Sequence, residues 1–439
     1  MSCPPIFVIR RISAIKQRGA GCSREDLGMT NLFNALHLAQ EQIADLESQL
    51  LKRKLRATTS PCDTKVLVDG RELKAFCSND YLGLANHPDL VKALAKGGQK
   101  YGVGSGASHL ISDHSMAHEV LEQKLAAFQK RHIPNARALF FSTGYLANLT
   151  AITALARLAP QGCTSIYSAK LNHASLIDGI RLAAAQTKAN VALFDHTQAG
   201  VLNELLKADQ KPLKIIVTDG VFSMDGDLTP IQKLLEIAEQ NNALLLVDNA
   251  HGFGVLGSRG HGILESENIC SYRIVYIGTL GKAAGVGGAF ICAQETLIEW
   301  LIQKGRPFIY STATPPAIAH TLSKSLEIIE GDEGISRRAQ LNKLIRIWHD
   351  EMHFSQWEKV PSCTAIQPVI LGSNANALLA AKLLDEAGYW IPAIRPPTVP
   401  NGSARLRITF SAKHSEADLC QLIMTLQKIE KAVIEGTHD

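Results

Sequence analysis

Between about residues 75 and 315 the chain alternates short apolar runs with longer stretches whose apolar residues recur at helical spacing. That alternation is the pattern of βαβ units, in which a mostly parallel sheet is buried under helices on both faces. It predicts an α/β fold, and open sheets of this kind bind ligands beyond the carboxyl ends of their strands. The residues just after each apolar run are therefore where function should be sought.

Five of these runs end on polar residues. Residues 138–141 lead into Ser142, Thr143, Gly144 and Tyr145 and then a helical pattern, placing free backbone N–H groups and a positive helix end where a phosphate could sit. Residues 165–168 precede Asn172, His173 and Ser175, and residues 214–217 precede a polar loop containing Ser223. Residues 244–247 deliver Asp248 and His251, and residues 274–277 deliver Thr279 and Lys282. Taken singly, each has a plainer reading. Asp248 would cap a helix or form a turn, Thr143 and Thr279 would be turn residues, and the histidines would be satisfied packing groups. Together they form a constellation. Lys282 follows a buried strand in a turn of small residues, 278–288, a setting suited to an amine that forms a Schiff base with a carbonyl cofactor. Asp248 offers the carboxylate that keeps a pyridine ring nitrogen protonated, so the pair points to pyridoxal phosphate (PLP).

With 439 residues the chain exceeds the usual single-domain size. The expected organisation is an extension over 1–28, an N-terminal helix and connecting segment over 29–74, a large cofactor-binding domain over 75–316 and a smaller α+β domain over 317–439. An amphipathic helix is predicted over residues 32–55, packed on the body of the enzyme, and strands over 366–371 and 405–409. Hydrophobic residues at 46% and charged residues at 20% describe a soluble globular protein and exclude a disordered one. A net charge of +4, with no basic stripe interleaved with aromatics, argues against a nucleic-acid partner. Nine scattered cysteines with no Cys-x-x-Cys pair fit a reducing cytoplasm, and no run approaches the ~20 apolar residues needed to cross a bilayer. No metal-ligand spacing stands out. The first 28 residues are basic, with acids only at Glu25 and Asp26. A transit peptide would also be serine-rich and amphipathic, so a disordered extension, or a true start at Met29, is preferred.

Residues 78–84 (Ser-Asn-Asp-Tyr-Leu-Gly-Leu), 218–227, 248–252 and 279–282 resemble the α-oxoamine synthases, PLP enzymes of fold type I. The likeness runs from about Met29 to the C-terminus. Within that family, residues 394–400 followed by 402–409 are most similar to the biotin-pathway members. The resemblance implies that Lys282 holds the cofactor and moves protons at the substrate Cα, that Asp248 meets the ring nitrogen, and that His251 and Ser223 lie near the ring oxygen. His173 would face cofactor or substrate. Thr143, Gly144, Tyr145 and Thr279 would hold the phosphate, while Ser311 and Thr312 would reach a neighbouring subunit's phosphate, implying a homodimer. Asn79 and Arg407 would grip the amino-acid carboxylate. Arg395, with Thr398 in the same segment, and Arg53, with Lys52 and Lys54 as alternatives, would meet the acyl substrate.

The implied reaction joins L-alanine to a pimeloyl thioester, carried by coenzyme A or an acyl carrier protein, with loss of CO2. Two other readings stay open: a sister enzyme using glycine or serine with another acyl thioester, and a catalytically silent PLP-binding partner subunit. The second is suggested by residues 104–114, where Leu110 falls at a ring-stacking position, His109 stands one residue early, and Asp113 replaces a glycine. Asp113 would be costly there if the backbone needed a positive φ.

Overall fold

The computed structural model describes residues 30–435, so the basic stretch 1–28 lies outside the described residues. The chain divides into two compact units, residues 1–54 and 55–439. In the first, a helix spans Thr30–Ser48, shorter than the predicted 32–55. It stops because Leu50 takes a left-handed φ of 58° and the N–H groups of Leu51 and Lys52 turn back onto the Leu46 carbonyl. Lys52 then pairs with Glu47 at 2.8 Å.

In the second unit the strands run β1 (Lys65–Val68), β2 (Arg71–Ala75), β3 (Ala136–Phe141), β4 (Thr164–Ala169), β5 (Asn190–Phe194), β6 (Leu213–Asp219), β7 (Leu244–Asp248), β8 (Ile274–Thr279), β9 (Ala289–Gln294), β10 (Glu358–Lys359), β11 (Ile366–Gly372), β12 (Tyr389–Trp390), β13 (Ala393–Ile394) and β14 (Ala404–Thr409). Seven of them form one sheet in the order β3-β9-β8-β7-β6-β4-β5. From β8 through β5 the pairing is parallel, and β9 lies antiparallel between β8 and β3. All five expected strands are present; β5 and β9 were not among them. Both faces of this sheet are covered. Leu245, Val247 and Tyr276 enter one apolar core, while Leu246, Val275 and Ile277 enter the other. That two-sided burial is why the strands read as continuous apolar runs.

The four-stranded sheet β10-β11-β14-β13 contains the predicted C-terminal strands. The segment before the large sheet is knitted into the C-terminal part of the chain, because β2 pairs with β12. Gly331 is the extended cap between helices Pro316–Glu330 and Asp332–Glu351.

The strand order turns round between β4 and β6, and the carboxyl ends of β4, β6, β7 and β8 meet at that switch. Two helices also begin there. Thr143 caps Gly144–Leu155 by accepting the Leu146 N–H at 3.2 Å, and His173 caps Ala174–Thr187 by accepting the Ser175 N–H at 3.2 Å.

Candidate active site

Lys282 sits one turn beyond β8, in a loop closed by hydrogen bonds from Leu280 N to Gly288 O and from Gly285 N to Lys282 O. Gly288 is required there: its φ is +98° and a Cβ would fall 2.6 Å from the Phe140 ring. The Lys282 Nζ lies 3.0 Å from His251 Nε2. Burial pushes this amine down to about 8; Asp248 and Asp219 oppose the fall and Arg407 adds to it. His251 is buried, and lost hydration together with the charge of Lys282 drives it well below the usual imidazole range, so its ring is neutral.

Asp248 ends β7 directly opposite Asp219, which ends β6. Burial, and the charge of Asp248 beside it, raise the Asp219 carboxyl well above the usual range. Asp219 accepts the His173 N–H at 2.6 Å. Asp248 is held on one oxygen by Ala250 N at 2.9 Å and on the other by Asn148 Nδ2 at 2.6 Å. His173 is lowered by burial, with Asp248 and Lys282 both close enough to act on it.

A second line of contacts enters from the 78–84 segment and β14. Arg407 Nη1 donates to Asn79 Oδ1 at 3.1 Å and its Nε donates to the Ser223 carbonyl at 2.6 Å. Tyr81 joins the two lines, its hydroxyl 3.1 Å from Asn79 Oδ1 and 2.5 Å from His251 Nδ1. A continuous hydrogen-bonded path therefore runs from Arg407 through Asn79, Tyr81 and His251 to Lys282.

At the phosphate end, Thr143 and Gly144 stand beside Thr279, whose Oγ1 would be 3.9 Å from a Cβ on Gly144. Tyr145 points away from that contact, donating its hydroxyl to Asp178 at 2.5 Å. Ser311 and Thr312 line a small cleft with Ser142 and His109, and Thr312 bridges to Ser108. Arg395 and Thr398 lie in the turn after β13, where Thr398 N donates to Arg395 O at 3.1 Å. Their link to the cluster is the next strand, since Ile394 pairs with Arg405 and Arg405 reaches Asp225 at 2.6 Å. Arg53 belongs to the N-terminal unit.

The unusual run 104–114 resolves simply. Asp113 has no positive φ; it ends a π-helical turn, His109–Asp113, and its carboxylate accepts the N–H groups of Gly106 and Ala107. His109 is buried, stacked on Phe308 at 5.0 Å, whereas Leu110 is 48% exposed.

The model for the family described as aminotransferase class I and II matches residues 72–426. An 8-amino-7-oxononanoate synthase of Janthinobacterium sp. (strain Marseille) is 52% identical over 392 residues, 89% of this chain and 98% of that protein. The chain belongs to this family, among its 8-amino-7-oxononanoate synthases. The synthase of Paraburkholderia xenovorans (strain LB400) is 51% identical over 90% of this chain and 99% of its own. Among solved structures, the 8-amino-7-oxononanoate synthase of Francisella tularensis is 30% identical with a TM-score of 0.67, covering 82% of this chain and 98% of that one. A serine palmitoyltransferase of S. paucimobilis with bound PLP is 25% identical with a TM-score of 0.80, covering 92% and 99%.

The family fold is the PLP-dependent fold type I found here, and the residues fit that cofactor. A lysine amine, a buried carboxylate and the open start of a helix beside Thr279 occupy one strand-end cluster, as an aldehyde, a pyridine nitrogen and a phosphate require. Sequence reasoning missed Tyr81, Asn148 and Asp219 as members. Their signals were present: Tyr81 lies inside the 78–84 motif, Asn148 is one helical turn beyond Gly144, and Asp219 ends its strand just as Asp248 does.

Proposed function

We propose that this chain condenses L-alanine with a pimeloyl thioester to give 8-amino-7-oxononanoate and CO2, with pyridoxal phosphate as cofactor. The observation that carries the reading is the meeting of Lys282, His251 and Asp248 at adjoining strand ends, in a chain about half identical to synthases of that name over nearly their whole length. When bound, the cofactor supplies an aldehyde for amines and a ring that draws electrons from a neighbouring carbon. Lys282, with its amine near 8, is partly neutral at working pH and can take the proton from the alanine Cα on Nζ. Neutral His251 orients that amine, and Asp248 presents its carboxylate to the ring nitrogen. Arg407, backed by Asn79, offers a planar guanidinium to the alanine carboxylate.

The reading extends to a homodimer in which Ser311 and Thr312 serve the neighbouring phosphate, to a donor carried by coenzyme A or an acyl carrier protein, and to a cytoplasmic enzyme. Among the described residues no helix is long and apolar enough to cross a membrane. The structural likeness to serine palmitoyltransferase makes serine with a long acyl thioester the competing pair. Purified protein offered alanine, glycine or serine with acetyl, succinyl, pimeloyl and palmitoyl thioesters should release CO2 with alanine and the pimeloyl donor at least about tenfold faster than with any other pair. Preference for a different pair would overturn the assignment.

A further inference from the structure

The helices Gly144–Leu155 and Ala174–Thr187, which follow β3 and β4, pack against each other and are joined near their starts through Asn148 and Ser175. Asn148 is 1% exposed, and its Nδ2 lies 2.6 Å from Asp248 Oδ2 and 2.8 Å from Ser175 Oγ. A carboxylate oxygen only accepts, so the amide must turn its NH2 toward Asp248. Ser175 Oγ takes the second N–H and passes its own proton to His173 Nδ1 at 2.7 Å. That same Nδ1 accepts the backbone N–H of Ser175, a group that can only donate, so the proton of neutral His173 resides on Nε2. The orientation has a cost: Asn148 Oδ1 is left buried with no partner. A buried amide kept half-satisfied, with both donors spent on site residues, is the mark of a role beyond packing.

We propose that Asn148 is a positioning residue for Asp248, and that Ser175 extends its reach to His173, so that one hydrogen-bonded chain sets both. The proposal rests on the assignment of Asp248 to the cofactor's ring nitrogen. Asn148 and Ala250 fix the two carboxylate oxygens from different elements, which aims the acid before the cofactor arrives. The chain also keeps His173 from taking a proton on Nδ1, because doing so would break the cap of its own helix.

The test is the affinity of the full-length chain for pyridoxal phosphate and for its analogue with C–H in place of the ring nitrogen. Wild type and Asn148→Ala are compared by quenching of tryptophan fluorescence. Asn148→Ala should weaken pyridoxal phosphate about 10- to 100-fold and leave the analogue within about threefold, because only the natural ring uses the aimed carboxylate. Equal weakening of both compounds would mean a merely structural residue and overturn the proposal, as would no weakening of either. Should Asn148→Ala fail to fold, Asn148→Ser, whose hydroxyl is too short to reach Asp248, must give the same split between the two compounds. Wild type that binds neither compound overturns the cofactor assignment, and this proposal with it.

Discussion

Two regions of this molecule gather histidines and carboxylates, and they use them in opposite ways. Around Lys282, side chains from five strand ends converge, and Thr143 among them is exposed. Around His114, residues from one turn and one helix, His109, His114, His118, Glu119 and Glu122, lie as close together. There the polar atoms serve the fold. His118 donates from Nε2 to Thr314 O at 2.7 Å and accepts Ser115 N on Nδ1 at 3.1 Å. His109 packs flat on Phe308, and Glu122 accepts the Phe140 N–H at 2.8 Å. A cluster becomes a site when groups remain after the backbone has been satisfied, and proximity alone does not tell the two apart.

The sharpest way to break this comparison is to remove one centre from each region. Lys282→Ala should lower kcat for CO2 release at least about 10⁴-fold, whereas His114→Ala should stay within about threefold. Comparable losses in the two variants would erase the distinction.

Next comes the buried acid of the structural cluster. Burial raises the Glu122 carboxyl from 4.5 to about 8. The folded chain then keeps a proton that the unfolded chain loses above 4.5, so stability falls as pH rises from 4.5 to about 8. Glu122→Gln, which retains an acceptor for Phe140 N, should therefore stabilise the protein by about 3 kcal/mol at pH 8 and hardly at all at pH 4. Denaturant unfolding at the two pH values measures this, and equal effects at both would count against a buried neutral acid.

The smallest expected effect belongs to the lysine itself in the cofactor-free chain. Its amine falls from 10.5 to about 8. Below 8 both folded and unfolded forms are charged and the burial cost is fully present; between 8 and 10.5 only the unfolded form holds the proton, and stability recovers. Lys282→Met should be more stable than wild type by about 2 kcal/mol at pH 7, with the gap closing toward pH 10. A constant gap would show that the amine is better hydrated than its surroundings imply.

Much of the large sheet and the central residues of the site could be read directly along the chain. Each buried strand is a local apolar run, and Asp248, His173 and Lys282 follow such runs within a few residues. What could not be read is who touches whom. β9, inserted antiparallel between β3 and β8, decides the sheet order, yet its residues look like any other apolar run. Asp113 looked like a misplaced residue because its partners, the N–H groups of Gly106 and Ala107, carry no side-chain signature. The predicted helix 32–55 ended early because a positive φ at Leu50 is a backbone event that apolar spacing does not report.

The amino-acid sequence by itself determined the fold class, the family and the lysine and acid at the centre of the site, because all of these are written in short contiguous segments. Only the tertiary structure decided the supporting shell. Asn148 meets Asp248 across 100 residues, Tyr81 meets His251 across 170, and Arg407 meets Asn79 across 328. The physical reason is that a hydrogen bond is fixed by distance and angle in space, and those are set only when the strands and helices that carry the two partners have packed.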